Sequence, residues 1–119
     1  MREAELSRTV RAYLDILVAQ NKLRYHRLNS GVVMKEYKGK KYPVRLAGKG
    51  TADYLVLIPA NGSFRAVYVE LKGEGGRQSP DQKVFEAEVK DSGAEYYLVR
   101  ELDEFEGIIS GKENNNERL

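Results

Sequence analysis

The stretch DYLVLIPANGSFRAVYVELK, residues 53–72, contains two apolar runs separated by the dipeptide Asn61-Gly62. Asn-Gly between such runs is the strongest short-range signal for a two-residue β-hairpin turn. If that turn forms, each residue before it has a fixed partner after it, and Asp53 lies opposite Glu70. The sequence therefore predicts an antiparallel hairpin that ends with two carboxylates side by side.

The charges at this end of the hairpin need an explanation. Opposite residues of an antiparallel pair have Cβ atoms about 4.5–5.5 Å apart, so two carboxylates destabilise the pairing. Lys72 lies two residues beyond Glu70 and shares its face. A divalent cation held by Asp53 and Glu70 explains the cluster, because Mg²⁺ commonly binds one or two carboxylates. The alternative is a surface ion pair at the strand end, and a turn one residue longer would separate the two carboxylates.

Both faces of this hairpin carry mainly apolar residues, which is typical of central strands in a sheet that is covered on both sides. Hydrophobic periodicity elsewhere predicts further elements. These are a helix at 3–19, a strand at 23–28, a ribbon of 32–37 and 42–46 around the loop 38–41, a strand at 94–100 and a helix at 102–110.

The segment SPDQKVFEAEVKDSG, residues 79–93, carries start and stop signals for another helix. Ser79 is a candidate N-cap, Pro80 suits the first helical position, and Gln82 completes a capping box. Gly93 is a candidate C-terminal stop. The order of elements predicts one α/β domain, a sandwich around a mixed sheet, over residues 1–111, followed by a frayed tail at 112–119.

Composition excludes several classes of protein. The chain of 119 residues has no cysteine, so it has no disulfide framework, zinc ribbon or thiol nucleophile. Its apolar runs fall far short of the ~20 residues of a membrane span, and its charged N-terminus lacks a signal-peptide pattern. Neither a nucleotide-binding phosphate loop nor a Ser-His-Asp arrangement supports a small-molecule enzyme. We expect a cytoplasmic protein that is not secreted and has no membrane partner.

Charge is distributed unevenly along the chain. Residues 1–50 carry 12 Lys and Arg against 4 Asp and Glu, whereas residues 51–119 carry 8 against 14. A basic half with interleaved tyrosines suits a phosphate backbone, although a solvated basic surface explains it equally well. The candidate DNA contacts are Lys49, Arg77, Arg24, Arg27, Lys38, Lys40 and Lys41.

The ordered motifs resemble a known family. TAD at 51–53, an apolar hairpin and VELK at 69–72 resemble the PD-(D/E)xK nuclease signature, and the following GGRQSPDQ at 75–82 narrows the likeness to virus-type replication-repair nuclease (VRR-NUC) domains. The likeness covers nearly the whole chain, and the ordered set is far more specific than Glu-x-Lys alone. It implies a restriction-endonuclease-like α/β/α sandwich with a central mixed β-sheet. Ala52 stands where the family usually has proline, a residue that would shape the loop before Asp53 without supplying a ligand.

The resemblance also implies roles for individual residues. Asp53, Glu70 and the backbone carbonyl of Leu71 would bind Mg²⁺ or Mn²⁺, and Lys72 would face the attacking water and the scissile phosphate. Gln82 matches a glutamine that positions the site in relatives. A glutamate of the first helix would complete the acidic set: Glu3 is the first choice and Glu5 the rival, while the helix dipole alone explains either one.

The implied activity is metal-dependent hydrolysis of DNA phosphodiester bonds. Stand-alone relatives of this size are typically phage or bacterial proteins of replication, recombination or repair, and they resemble Holliday junction resolvases. Branched DNA is therefore the expected substrate and a homodimer the expected assembly, with no cofactor beyond the metal. The alternatives are a flap or nicking nuclease of the same fold and a DNA-binding module that has lost hydrolysis.

Overall fold

A computed structural model describes residues 1–28, 31–45 and 47–111. Its helices are α1 at Glu3–Ala19, α2 at Pro80–Ser92 and α3 at Leu102–Ser110. Its strands are β1 at Arg24–Arg27, β2 at Val32–Tyr37, β3 at Lys40–Arg45, β4 at Tyr54–Ala60, β5 at Ser63–Leu71 and β6 at Glu95–Val99. The predicted order of helices and strands is confirmed, whereas the predicted tail at 112–119 lies outside the described residues.

The central sheet has four strands in the order β1-β4-β5-β6. β4 is antiparallel to β1 and β5, and β6 is parallel to β5, so the sheet is mixed as predicted. Tyr54 pairs with Val69 and Ala60 with Ser63, which confirms the predicted register of the hairpin. Asn61 and Gly62 have φ values of 43° and 80°, as a two-residue turn with positive φ at both positions requires.

Helices cover both faces of this sheet. Leu6, Val10 and Leu14 of α1 form one core with Phe105 and Ile108 of α3, together with the side chains of the central strands that alternate to that face, which are Tyr54, Val56, Ile58, Val67 and Val69. Burial of these apolar side chains supplies the main stabilisation, at about 25 cal/mol for each Å² removed from water.

The opposite face of the sheet is covered by α2. Phe85 packs edge-on against Tyr68 at 5.3 Å between ring centroids, and Val89 packs in the same cluster as Tyr96 and the fully buried Ala52. This helix packs mainly over β5 and β6. The expectation that both central strands are buried on both faces was therefore wrong in part, because Leu55 and Leu57 of β4 are only half-buried.

The signals at the ends of α2 are confirmed. Ser79 is the N-cap and accepts a hydrogen bond from the backbone N–H of Gln82, whose side chain accepts one from the N–H of Ser79. Pro80 occupies the first turn, and Gly93 ends the helix in the left-handed conformation at φ 93°. The capping box fixes the position of Gln82 relative to the sheet.

Strands β2 and β3 form a separate two-stranded sheet, called the ribbon below. Lys38 and Gly39 are its turn, with φ values of 52° and 77°. The predicted four-residue loop at 38–41 was wrong, because the turn closes in two residues and Lys40 and Lys41 belong to β3. Successive strand residues point to opposite faces, so these two lysines are separated.

Within the described part of the chain, no helix combines the length and apolar character that crossing a membrane requires.

Candidate active site

Asp53 is the residue immediately before β4, where the chain enters the central hairpin. Its Oδ2 accepts a hydrogen bond of 2.7 Å from the backbone N–H of Leu71, and its carbonyl accepts one of 2.8 Å from Leu28. The confirmed register of β4 and β5, continued by one pair, sets Asp53 against Glu70. The backbone of Asp53 is therefore held by Leu28, and its carboxylate is held by the N–H of Leu71.

Glu70 is a charged residue in the core of the site, only 3% exposed. Its Oε2 accepts a hydrogen bond of 3.1 Å from Nε2 of Gln82. Among the described residues, Glu70 Oε1 and the hydroxyl of Tyr54 are the buried side-chain atoms that lack a hydrogen-bond partner. A buried oxygen left without a partner carries a desolvation cost of about 1–3 kcal/mol, and more if it is charged.

The protonation of Glu70 is shifted by its surroundings. Its pKa is raised from 4.5 to about 8: burial is the largest cause, the Asp53 carboxylate adds to it, and the Lys72 ammonium opposes both effects. The negative charge of Glu3 makes a smaller contribution in the same direction as that of Asp53. At neutral pH the metal-free protein therefore keeps a proton in the place where two carboxylates meet.

A divalent cation fits these groups. It would offset the paired charges of Asp53 and Glu70, and the unpaired Oε1 would coordinate it as a ligand. Within residues 1–28, 31–45 and 47–111, no group of three His, Cys, Asp or Glu side chains is arranged to hold one ion. Two carboxylates with a backbone carbonyl and water still match the usual oxygen coordination of Mg²⁺.

Lys72 lies beside the pair of carboxylates. Its Nζ is 4.0 Å from Glu70 Oε2, and its side chain is 15% exposed. Its backbone N–H donates to the carbonyl of Val99, which extends the ladder of β5 and β6 by one residue. The loop that follows folds back so that Gly76 lies against the aliphatic part of this lysine. The side chain of Lys72 is thus mostly shielded from water, and its ammonium group lies beside the Glu70 carboxylate.

Gln82 connects the sheet to α2 and takes both roles that the sequence suggests. Its Oε1 belongs to the capping box with Ser79, and its Nε2 donates to Glu70. Gly50 permits a close approach here, because a Cβ at that position would be 2.4 Å from the carbonyl of Asp81. The loop before Asp53 and the start of α2 therefore touch beside the site.

The N-terminus of α1 borders the same site. A Cβ on Gly73 would lie 2.6 Å from the backbone nitrogen of Glu3, so only glycine allows this contact. Glu3 is exposed and acts on the Glu70 pKa through its charge, whereas Glu5 is tied to Arg2 by an ion pair of 2.8 Å. A cleft of about 630 Å³, lined by both glutamates, opens between this helix start and Gly73. Of the two glutamates, Glu3 is the one whose charge acts on the Glu70 pKa, and its choice as the helix carboxylate stays a prediction.

The candidate DNA contacts are spread over several parts of the molecule. Lys49 is beside the site, since its Nζ is 3.8 Å from Asp81, and the exposed Arg77 lies in the loop between Lys72 and Ser79. Arg27 pairs with Tyr54 and therefore shares the sheet face opposite to Asp53.

The remaining basic residues lie in β1 and in the ribbon. Arg24 pairs with Leu57, which lies four residues from Asp53, or about 13 Å along a strand. Lys38 lies at the turn of the ribbon, and Lys40 and Lys41 lie in β3.

One part of the site escaped the sequence prediction. Nε2 of Gln78 donates to Oε1 of Glu86 and to the hydroxyl of Tyr96, at 2.9 and 3.1 Å. The pKa of Tyr96 is raised to about 12: burial is the largest cause, the hydrogen bond from Gln78 opposes it, and the charges of nearby carboxylates, including Glu70, add to the rise. The two adjacent tyrosines of β6 gave no alternation from which to choose the one that faces the site.

Comparison with protein-family models, with curated proteins and with solved structures finds no match to this chain. The family resemblance of the motifs therefore stays a prediction. The chemistry available to the site follows from its own groups: a carboxylate pair for a divalent cation, a shielded ammonium for an anion, and an amide that holds one carboxylate.

Proposed function

We propose that this protein is a Mg²⁺- or Mn²⁺-dependent deoxyribonuclease with a restriction-endonuclease-like fold, related to the VRR-NUC domains. The observation that carries the proposal is Glu70, buried opposite Asp53 with one carboxylate oxygen unpaired. A chain keeps such a costly arrangement where function requires it, and buried groups with strongly shifted pKa values concentrate at active sites. The α/β/α layering around a mixed sheet supports the same fold.

Asp53 and Glu70 would hold the cation together with the backbone carbonyl of Leu71. In antiparallel pairing the N–H and C=O of one residue point to the same side of the strand. The N–H of Leu71 already donates to Asp53, so its carbonyl faces the same edge. Once bound, the ion supplies charge for the phosphate and lowers the pKa of water.

Lys72 supplies the second positive charge of the reaction. The oxygen of a water molecule bonds to phosphorus as the bond to the leaving sugar oxygen breaks, in line with the attack. The water loses a proton and the leaving oxygen gains one. Negative charge grows on the phosphoryl oxygens, and an ammonium fixed in a low-dielectric setting stabilises it. Lys72 also orients the attacking water, while Gln82 keeps Glu70 in position.

Branched DNA such as a Holliday junction is the proposed substrate, cut by a homodimer so that two sites act on one junction. Lys49 and Arg77 border the carboxylates and would contact phosphates next to the scissile bond. Glu3 is the proposed third carboxylate, because its charge acts on Glu70 from the start of α1; its side chain is not arranged with Asp53 and Glu70 as a ready three-carboxylate site and would have to turn toward them.

The test is a cleavage panel with the full chain. Four-way junction, flap, nicked, duplex and single-stranded DNA are incubated with Mg²⁺, with Mn²⁺ and with EDTA, beside the variant Glu70→Gln. We expect cleavage of branched DNA that needs the metal and is lost in the variant. Absence of cleavage of every substrate with either metal would refute the enzyme. A wild type that binds these DNAs but cleaves none of them would instead be a DNA-binding module.

A further inference from the structure

The ribbon is the least buried part of the described chain. All side chains of β2 except the half-buried Val33 are exposed. An isolated two-stranded ribbon is marginally stable in water, because it buries little apolar surface. Such an element suits a surface that is ordered or covered by a partner.

The register divides the ribbon into two different faces. Lys35 pairs with Tyr42 and Tyr37 pairs with Lys40, so these four residues share one face. The other face carries the apolar Val32, Met34 and Pro43 together with the oppositely charged pair Glu36 and Lys41. We call the first the basic-aromatic face: its exposed part consists of Lys35, Tyr37, Lys40 and Tyr42, with Lys38 at the turn, and the half-buried pair Val33 and Val44 lies at its other end.

Charge and aromatic surface are combined on the basic-aromatic face. Its two tyrosines are 65% and 44% exposed, although aromatic rings are normally packed away from water. Three lysines surround them, the acidic Glu36 points to the other face, and Nζ of Lys38 lies 5.4 Å from the centre of the Tyr37 ring. Cations and exposed rings alternate across the strands in a checkerboard.

We propose that the basic-aromatic face binds single-stranded DNA, with bases stacked on Tyr37 and Tyr42 and phosphates held by Lys35, Lys38 and Lys40. Exposed rings beside cations are the usual platform for unpaired bases, whose flat faces are free. In a duplex those faces are already stacked on neighbouring bases. The inference rests on the proposed function and narrows its substrate: the bound strand would be an unpaired segment, so a branched DNA with a single-stranded flap would be preferred to a fully paired four-way junction.

The experiment measures binding without cleavage. Fluorescence anisotropy gives the Kd of the full chain for a labelled oligothymidylate of about 15 nucleotides in EDTA, over a range of salt concentrations. The variants are Tyr37→Ala, Tyr37→Phe, Lys40→Ala and Lys41→Ala. The last two form a matched pair, since they remove the same charge from adjacent residues on opposite faces. Of the candidate DNA contacts, Lys41 is the one that this proposal excludes, because it pairs with Glu36 on the other face.

We expect Tyr37→Ala to weaken binding on the order of 10-fold and Tyr37→Phe to retain it, because the ring is what stacks. Lys40→Ala should weaken binding and reduce the slope of log K against log salt by about 0.7, the value for one phosphate contact on a single strand. Lys41→Ala should change Kd less than about twofold, as for a charge that faces away from the strand.

Equal losses for the two lysine variants would overturn the proposal, since they would indicate bulk charge attraction. Tighter binding of duplex than of the single strand, or a Tyr37→Ala variant with unchanged affinity, would do so too. A change of oligomeric mass in that variant at unchanged DNA affinity would make the ribbon an interface between copies. If the chain binds through this face but cleaves nothing, the proposed function fails and the inference stands. If it cleaves and the ribbon variants bind normally, the reverse holds.

Discussion

Two hairpins of this chain turn in the same way and end in opposite environments. Both reverse through two residues with positive φ, Asn61-Gly62 between β4 and β5 and Lys38-Gly39 in the ribbon. The first hairpin lies in the centre of the sheet, where Val56, Val67 and Val69 are completely buried. The second exposes nearly all its side chains. The turn fixes the strand register in both hairpins, whereas burial determines whether their charged side chains are shielded from water or exposed to it.

That difference separates the two functions proposed for this chain. In the core hairpin the carboxylate pair is held rigidly, and its burial is unfavourable unless a proton or a cation neutralises part of its charge. A rigidly held pair of this kind suits chemistry at a fixed position. In the ribbon, lysines and tyrosines stay in water and are free to adjust to a flexible polyanion. Variants that exchange or remove one feature from each hairpin test this division.

The largest effect is expected from removing Lys72 at the end of the core hairpin, compared with removing Lys41 of the ribbon. Lys72→Ala should lower the single-turnover cleavage rate by about 10²–10³-fold, because it removes a fixed charge from the place where negative charge develops. Lys41→Ala should change that rate less than about twofold, since Lys41 is exposed and its face carries Glu36. The measurement is a metal-started time course with enzyme in excess over DNA.

Thermal unfolding of both variants serves as the control for that comparison. Similar melting temperatures would show that the rate difference reflects the site. If the two lysines lowered the rate equally, catalysis would depend on overall charge, and the distinction between the hairpins would be lost.

The next effect concerns stability and pH in EDTA. The pKa of Glu70 is about 8 in the folded protein and 4.5 in its ordinary, unfolded setting. Between these values the folded state binds more protons than the unfolded state, so the free energy of unfolding falls as pH rises. Glu70→Gln should remove most of this fall and raise the melting temperature at pH 8 by roughly 5 °C or more.

Scanning calorimetry from pH 5 to pH 8 measures the effect, with Glu36→Gln as the matched change on the ribbon. Glu36 is exposed, so its variant should follow the wild type at every pH. Adding Mg²⁺ should stabilise the wild type at pH 8 and leave Glu70→Gln nearly unchanged. A wild type whose stability rises steadily over this range would contradict the shifted pKa.

Much of the fold could be predicted because its signals are local. Asn-Gly specifies a turn, the turn specifies a register, and the register places Asp53 against Glu70 without knowledge of the rest. Ser79 and Gln82 likewise specify the start of α2 through side chains three residues apart. These predictions depend only on backbone geometry within a few residues.

The failures depend on packing or on an unusual residue. Leu55 and Leu57 look like fully buried strand residues, but α2 packs mainly over β5 and β6, and no local pattern gives the angle of a helix on a sheet. The bond between Gln78 and Tyr96 joins residues 18 positions apart and has no sequence signal. Lysine rarely adopts positive φ, so the turn at Lys38 looked like a longer loop.

Lys38 also supplies the smallest expected effect, through a reciprocal exchange between the two turns. The left-handed conformation costs Lys more than Asn, so Asn61→Lys should lower the global free energy of unfolding by about 1 kcal/mol in urea denaturation. Lys38→Asn relieves the same strain in the ribbon, where it should slow hydrogen exchange of the ribbon amides and leave global unfolding within about 0.5 kcal/mol. The ribbon forms its own sheet outside the central one, so its opening need not unfold the core. If Lys38→Asn instead stabilised the whole protein by as much as Asn61→Lys destabilises it, the two hairpins would unfold as one cooperative unit.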